Sequence, residues 1–202
     1  NIAILAQAQG LSADLIIGGY SFGGNVGLEM AMQLQRAGRP PRRLVLFDSI
    51  PPSAYHGTAK ADSEFDDAIA MVVRQTTTGA PSADPDRAFA GIVEDDGSAA
   101  GVLYRDFTRL WRDNQRALAA YKPTEVLDCP ITLFSTEQPL LAEEAVHLGI
   151  EAYEATAWQR YTAQPLEVIP VPGNHYSLFL EQASLQALAR TLPGVLHQAG
   201  RR

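Results

Sequence analysis

Leu15–Ala31 reads LIIGGYSFGGNVGLEMA, and its interpretation decides the fold. Residues 15–20 form a short continuous apolar run, the pattern of a strand buried on both faces. From Phe22 to Ala37 the apolar positions Val26, Met30, Leu34 and Ala37 recur at steps of three or four, which predicts a helix. Gly38 supplies a left-handed cap, and Pro40 and Pro41 prevent continuation. A second apolar run, RLVLFD at 43–48, ends before the proline pair at 51–52. Strand, helix and strand in this order make a βαβ unit, which implies parallel pairing.

The same pattern continues downstream. Residues 130–136 (PITLFST) and 166–171 (LEVIPV) predict two more strands, with helix between them around 140–162 and a closing helix near 178–198 interrupted at Pro193. The interval 53–125 has no strand run but shows helical patterning at 62–75, 85–94 and 101–121, so it is read as a helical insertion. The fold class is α/β, a mostly parallel sheet flanked by helices, organised as a single domain over 1–202.

Composition limits what such a chain does. Its 202 residues are 46% hydrophobic and 19% charged, enough for one filled core. A formal charge of −7 opposes a nucleic-acid surface, which needs clustered Lys and Arg. The one basic cluster, Arg39–Arg43, is broken by two prolines and reads as a solvated loop. No apolar run is long enough to span a membrane, and no signal-peptide pattern opens the chain, so neither nucleic acid nor membrane is expected as a partner. The single cysteine, Cys129, reads as a buried small hydrophobe and fits a reducing, cytoplasmic compartment. The four histidines lack metal-ligand spacing, so no metal site is expected.

Gly19-Tyr20-Ser21-Phe22-Gly23 fits G-x-S-x-G at a strand-to-helix junction. A tight corner there lifts the serine hydroxyl above the sheet and demands small neighbours. The backbone N–H of Phe22 can then bind an oxyanion beside the positive end of the helix. The competing interpretation makes Ser21 a plain helix cap. A nucleophilic serine needs a base oriented by an acid. His56, His147 and His197 lie in positions typical of surface residues, whereas His175 follows the last strand in VPGNH, on the carboxyl edge where catalytic groups of open α/β sheets gather. Two acids satisfy the order Ser, acid, His: Asp48, ending the second strand, and Glu137, just beyond the third. Sequence geometry leaves both open.

GGYSFGGNVGLEMAMQL, LVLFDSIPP, NQRALAAYKPTEVLDCPITLFST and VPGNHYSLF together resemble the thioesterase domains that end non-ribosomal peptide and polyketide assembly lines, members of the α/β-hydrolase superfamily. The resemblance implies an enzyme with Ser21 as nucleophile, Asp48 as orienting acid, 27 residues later, and His175 as general base. It implies Phe22 as an oxyanion donor, Tyr20, Phe22 and Pro51 at the substrate, and a lid formed by 53–125. It also implies a carrier protein presenting an acyl or peptidyl chain on 4′-phosphopantetheine, with no bound cofactor. Release would be by hydrolysis or macrocyclisation. Only fourteen residues precede Leu15, so the family's first strands and its second oxyanion donor are expected to lie outside this chain. Other functions compatible with the same residues are a stand-alone editing thioesterase, a carboxylesterase or lipase on free esters, and a binding module with an inactive triad.

Overall fold

The computed structural model describes residues 14–55, 99–140, 145 and 149–198. The helical patterns at 62–75 and 85–94 lie outside these residues, as do His56, His147 and most of the insertion. Two compact units divide the chain. One comprises 1–54, 122–139 and 152–202; the other comprises 55–121 and 140–151.

The first unit carries the sheet. Its strands are β1 (Ile16–Tyr20), β2 (Arg43–Phe47), β3 (Ile131–Thr136) and β4 (Leu166–Val171). They lie in sequence order, and every neighbouring pair is parallel. Helix α1 (Phe22–Arg36) crosses from β1 to β2. Its end has the geometry foreseen for Gly38, which takes φ 72° while the Gly38 and Arg39 N–H groups bond the Gln35 and Leu34 carbonyls at 2.9 Å.

Alternation along the strands serves two helical layers. Ile17, Leu44 and Leu46 lie beneath α1, where Gly27 approaches Ile17 and Leu44 closely. Val45, Phe134 and Val171 point the other way, into a cluster with Leu178, Leu188 and Val195. The last two belong to α3 (Gln182–Gln198), which packs on β4. Each fully buried leucine in these layers contributes about 1.5–3 kcal/mol of transfer free energy.

Four local expectations are corrected, and the buried face of one helix is defined. The buried face of α1 is Gly24, Gly27, Leu28, Ala31, Met32 and Leu34, with Asn25, and Val26 is 41% exposed. Apolar counting misses this face because glycine adds no hydrophobic signal yet permits the closest approach to the sheet. Strand β1 is not buried on both faces: as an edge strand of the described sheet, it leaves Gly18 and Tyr20 exposed. Arg43 is not in a solvated loop. It begins β2, is buried, and its guanidinium donates to Thr132 Oγ1 at 2.5 Å and to Glu167 Oε2 at 3.4 Å.

Between β3 and β4 the described residues form a 3₁₀ segment at Ala155–Tyr161 rather than a long helix. Buried Trp158 and Tyr161 hold it by their packing against each other, with ring centroids 5.6 Å apart. Pro193 lies inside α3 without interrupting it, because Leu188, Leu192 and Val195 on either side remain docked on the core. A missing N–H there removes one backbone bond but not the packing.

The second unit contains α2 (Ala99–Ala120), close to its predicted span, and an antiparallel bridge between Tyr55 and Ile150. No described helix is long and apolar enough to cross a membrane.

Candidate active site

The backbone ladder itself brings the chemistry-bearing residues to one edge. Just beyond β1, the Ser21 N–H donates to the Phe47 carbonyl at 3.0 Å, and just beyond β2 the Asp48 N–H donates to Phe134 at 2.7 Å. Just beyond β3, the Glu137 N–H donates to Val171 at 2.9 Å. Each parallel strand thus hands its last bond to the next. The loop leaving β4 then carries His175 back over this edge.

Ser21 and Asp48 both occupy sharp corners. They have φ of 53° and 44°, and among the described residues they are the non-glycine positions with positive φ. Such backbone conformations store on the order of 1–3 kcal/mol each and persist only where surrounding bonds enforce them. Gly19 permits the first corner, since a Cβ on it would overlap the Gly23 carbonyl. The expectation that the second motif glycine also avoids a collision is corrected: among the described residues nothing lies within 4 Å of where a Gly23 Cβ would sit.

Ser21 stands at the N-cap position of α1 but makes no side-chain capping bond. Its Oγ lies 3.0 Å from His175 Nε2, and His175 Nδ1 lies 2.8 Å from Asp48 Oδ2. An ionised carboxylate only accepts hydrogen bonds, so Nδ1 carries the ring proton and Nε2 is left to accept from the serine hydroxyl. The His175 and Asp48 side chains are only 13% and 16% exposed. Of the two candidate acids, Asp48 is therefore the one against the imidazole, while Glu137 is exposed.

Supporting bonds immobilise this chain of three. Thr136 gives Asp48 Oδ1 both its backbone N–H and its hydroxyl, at 2.8 and 2.9 Å. Trp158 Nε1 donates to the Ser49 carbonyl at 2.8 Å and Asn25 Nδ2 to the Ile50 carbonyl at 3.0 Å, so buried donors hold the two residues after Asp48. In the histidine loop, Asn174 Oδ1 accepts from the N–H groups of Tyr176 and Ser177, both at 3.0 Å. Gly173, at φ 92°, makes the turn into this loop.

The resemblance places Tyr20 at the substrate. Its ring stacks on His175 with centroids 5.0 Å apart and meets Phe179 edge-on at 5.2 Å. Its hydroxyl donates to the His175 carbonyl at 2.5 Å. Although Tyr20 keeps an exposed edge, desolvation of its phenol, reinforced by the charge of Asp48, pushes the group up to about 12. Burial, then the same charge, also raises the Tyr153 phenol above its usual range. Phe22, half-buried, begins α1, and its N–H is among the donors that a helix start leaves without an intrahelical acceptor. Pro51 is buried, with its carbonyl accepting from Ala54 N–H at 2.9 Å.

Sequence reasoning missed Thr136, Trp158, Asn174 and Tyr153. Asn174 was the most accessible, because asparagine beside glycine signals a side-chain-to-backbone turn. Trp158 reaches Ser49 across a separation of 109 residues, which no local pattern encodes. Among the described residues no group of three or more His, Cys, Asp or Glu is placed to hold a metal ion.

Several solved structures share this architecture. The RedJ thioesterase of the prodiginine biosynthetic pathway in Streptomyces coelicolor superposes with a TM-score of 0.61 at 24% identity, over 96% of this chain and 66% of that one. The chain thus spans slightly less than two thirds of RedJ. The thioesterase domain SrfTE, described for cyclisation of the lipopeptide antibiotic surfactin, gives 0.60 at 14% identity, over 100% of this chain and 75% of its own. BorB, a type II thioesterase from the borrelidin biosynthetic cluster, gives 0.60 at 18%, over 99% and 70%. At these identities the likeness speaks for the fold. No curated protein matches the chain. A family model for the thioesterase domain matches residues 2–196. Both the parallel sheet and its carboxyl-edge cluster fall within that span, and the chain belongs to the thioesterase domain family.

Proposed function

We propose that this chain is a serine thioesterase that releases an acyl or peptidyl chain from the phosphopantetheine thioester of a carrier protein, through an acyl-Ser21 intermediate. One observation carries the proposal: the Ser21 hydroxyl forgoes its helix-capping bond and meets His175, which is backed by Asp48. Membership of the thioesterase domain family supports a thioester as the substrate.

As Ser21 Oγ attacks the thioester carbonyl, its proton passes to His175 Nε2, and Asp48 stabilises the imidazolium. The tetrahedral oxyanion accepts from the Phe22 N–H at the start of α1. Collapse breaks the carbon–sulfur bond, and Nε2 returns the proton to the departing thiol. His175 then deprotonates water, giving a free acid, or an amine or hydroxyl of the bound chain, giving a macrocycle. A second collapse restores the Ser21 hydroxyl. Residues 53–125 serve as the lid that shelters the ester, and the enzyme works in the cytoplasm with a carrier protein as partner.

The test combines labelling with turnover. A fluorophosphonate should add once to the protein, as read by intact mass, and not to Ser21→Ala. Ser21→Ala should lower turnover of an acyl-pantetheine thioester by at least about 10³-fold. Labelling that survives Ser21→Ala overturns the proposal, as does a wild-type protein that resists labelling. Equal rates on thioester and matched oxygen ester would indicate an esterase. Preference for a short misloaded acyl group over a full-length carrier-bound chain would indicate the editing type.

A further inference from the structure

We propose that Tyr20 is a positioning residue, which clamps the His175 loop and ring onto the nucleophile's own strand. This rests on the reading of Ser21, Asp48 and His175 as the reacting chain. Tyr20 immediately precedes Ser21, and its register partner across the parallel ladder is Phe47, which immediately precedes Asp48. It therefore belongs to the rigid end of the sheet, while His175 belongs to a loop four residues beyond β4.

The phenol bridges these parts in two ways. Its hydroxyl donates at 2.5 Å to the carbonyl of His175 itself, fixing the backbone from which the imidazole projects. Its ring lies nearly parallel to the imidazole, 24° between planes, and Phe179 supports it at 85°. Tyr176 also meets the imidazole edge-on, at 88° and 5.3 Å. The stacked ring limits rotation about the histidine side chain and offers a π-face to the imidazolium formed during proton transfer. Positioning of this kind acts on turnover: the base keeps its 3.0 Å approach to Ser21 without any contact between Tyr20 and substrate.

Tyr20→Phe removes the hydroxyl bond and retains the stack, while Tyr20→Leu removes both. On an acyl-pantetheine thioester, Tyr20→Phe should lower kcat about fivefold with KM unchanged, the magnitude of one ordinary hydrogen bond. Tyr20→Leu should lower kcat further, by about 30-fold, and broaden the downfield proton resonance of the His175 Nδ1–H···Asp48 bond. The roughly sixfold higher kcat of Tyr20→Phe over Tyr20→Leu assigns the stack its share. Should Tyr20→Leu fail to fold, the Phe variant and its proton spectrum carry the test.

Wild-type kcat in both variants, or a change confined to KM, overturns the inference, the latter by returning Tyr20 to the role of substrate contact. These outcomes are distinct from failure of the underlying reading, which is seen in the wild-type protein as absence of Ser21-dependent labelling.

Discussion

Thr136 commits two donors to one oxygen of Asp48, its N–H at 2.8 Å and its hydroxyl at 2.9 Å, leaving the other carboxylate oxygen to His175. The acid is thereby fixed from the neighbouring strand, in an orientation that aims Oδ2 at the imidazole. Thr136→Val keeps the backbone donor and removes the hydroxyl. Bonds to charged groups are worth about 1.5–3 kcal/mol, and the remaining N–H retains part of the restraint. We expect kcat to fall about tenfold with KM unchanged, measured on an acyl-pantetheine thioester. An unaltered kcat would mean that the backbone N–H suffices.

The two motif glycines should respond oppositely to alanine. A Cβ at Gly19 collides with the Gly23 carbonyl, which is rigid backbone, so Gly19→Ala should destabilise by several kcal/mol and displace Ser21. A Cβ at Gly23 meets nothing among the described residues, and alanine is the better helix former by about 1 kcal/mol. Gly23→Ala should therefore fold with equal or higher stability and still label at Ser21. Urea unfolding midpoints compare the pair, and equal destabilisation would refute the distinction.

Trp158 bonds the Ser49 carbonyl from within the core. Trp158→Phe leaves that carbonyl without its donor, a loss of about 2 kcal/mol, with added packing loss from the smaller ring. Because Ser49 follows Asp48 directly, the variant should lose turnover even when fully folded. Activity per folded molecule, normalised to fluorophosphonate incorporation, measures this second effect.

Burial pushes the Cys129 thiol up to about 11 from 9.0. A raised native pKa means that the folded protein holds the proton after the unfolded chain has released it. Its contribution to stability is therefore complete below pH 9 and is lost as pH rises towards 11. The full loss is of order 2–3 kcal/mol. Urea unfolding between pH 7 and 11 should show this decline, diminished in Cys129→Ala. Thiol reagents should modify Cys129 in the native protein far more slowly than in urea.

Most of the sheet was legible because parallel strands are written as short runs rich in apolar residues, and 15–20, 43–48, 130–136 and 166–171 each hold a strand. The same simplicity misled elsewhere. Counting apolar residues found the helix but passed over Gly24 and Gly27 on its buried face, whose contribution is closeness rather than hydrophobicity. Arg43 looked solvated because its partners, Thr132 and Glu167, lie 89 and 124 residues away. The insertion at 53–125 showed its helical character in α2, while an association of 140–151 with the same unit had no local signature.

By itself the sequence determined the α/β class, the corner at Ser21 and the loop of His175, since each depends on neighbours within a few residues: an apolar run, a glycine and a helical period. The residue pattern left Asp48 and Glu137 equal, the family resemblance favoured Asp48, and the tertiary structure places Asp48 against the imidazole. Both acids follow strands at the same sheet edge, so position along the chain does not separate them. The difference arises from side-chain direction, set by the φ of 44° at Asp48 and by the two donors of Thr136. Tyr20, which the resemblance placed at the substrate, is likewise found stacked on the His175 ring, because a contact across 155 residues exists only once the sheet has brought both to one edge.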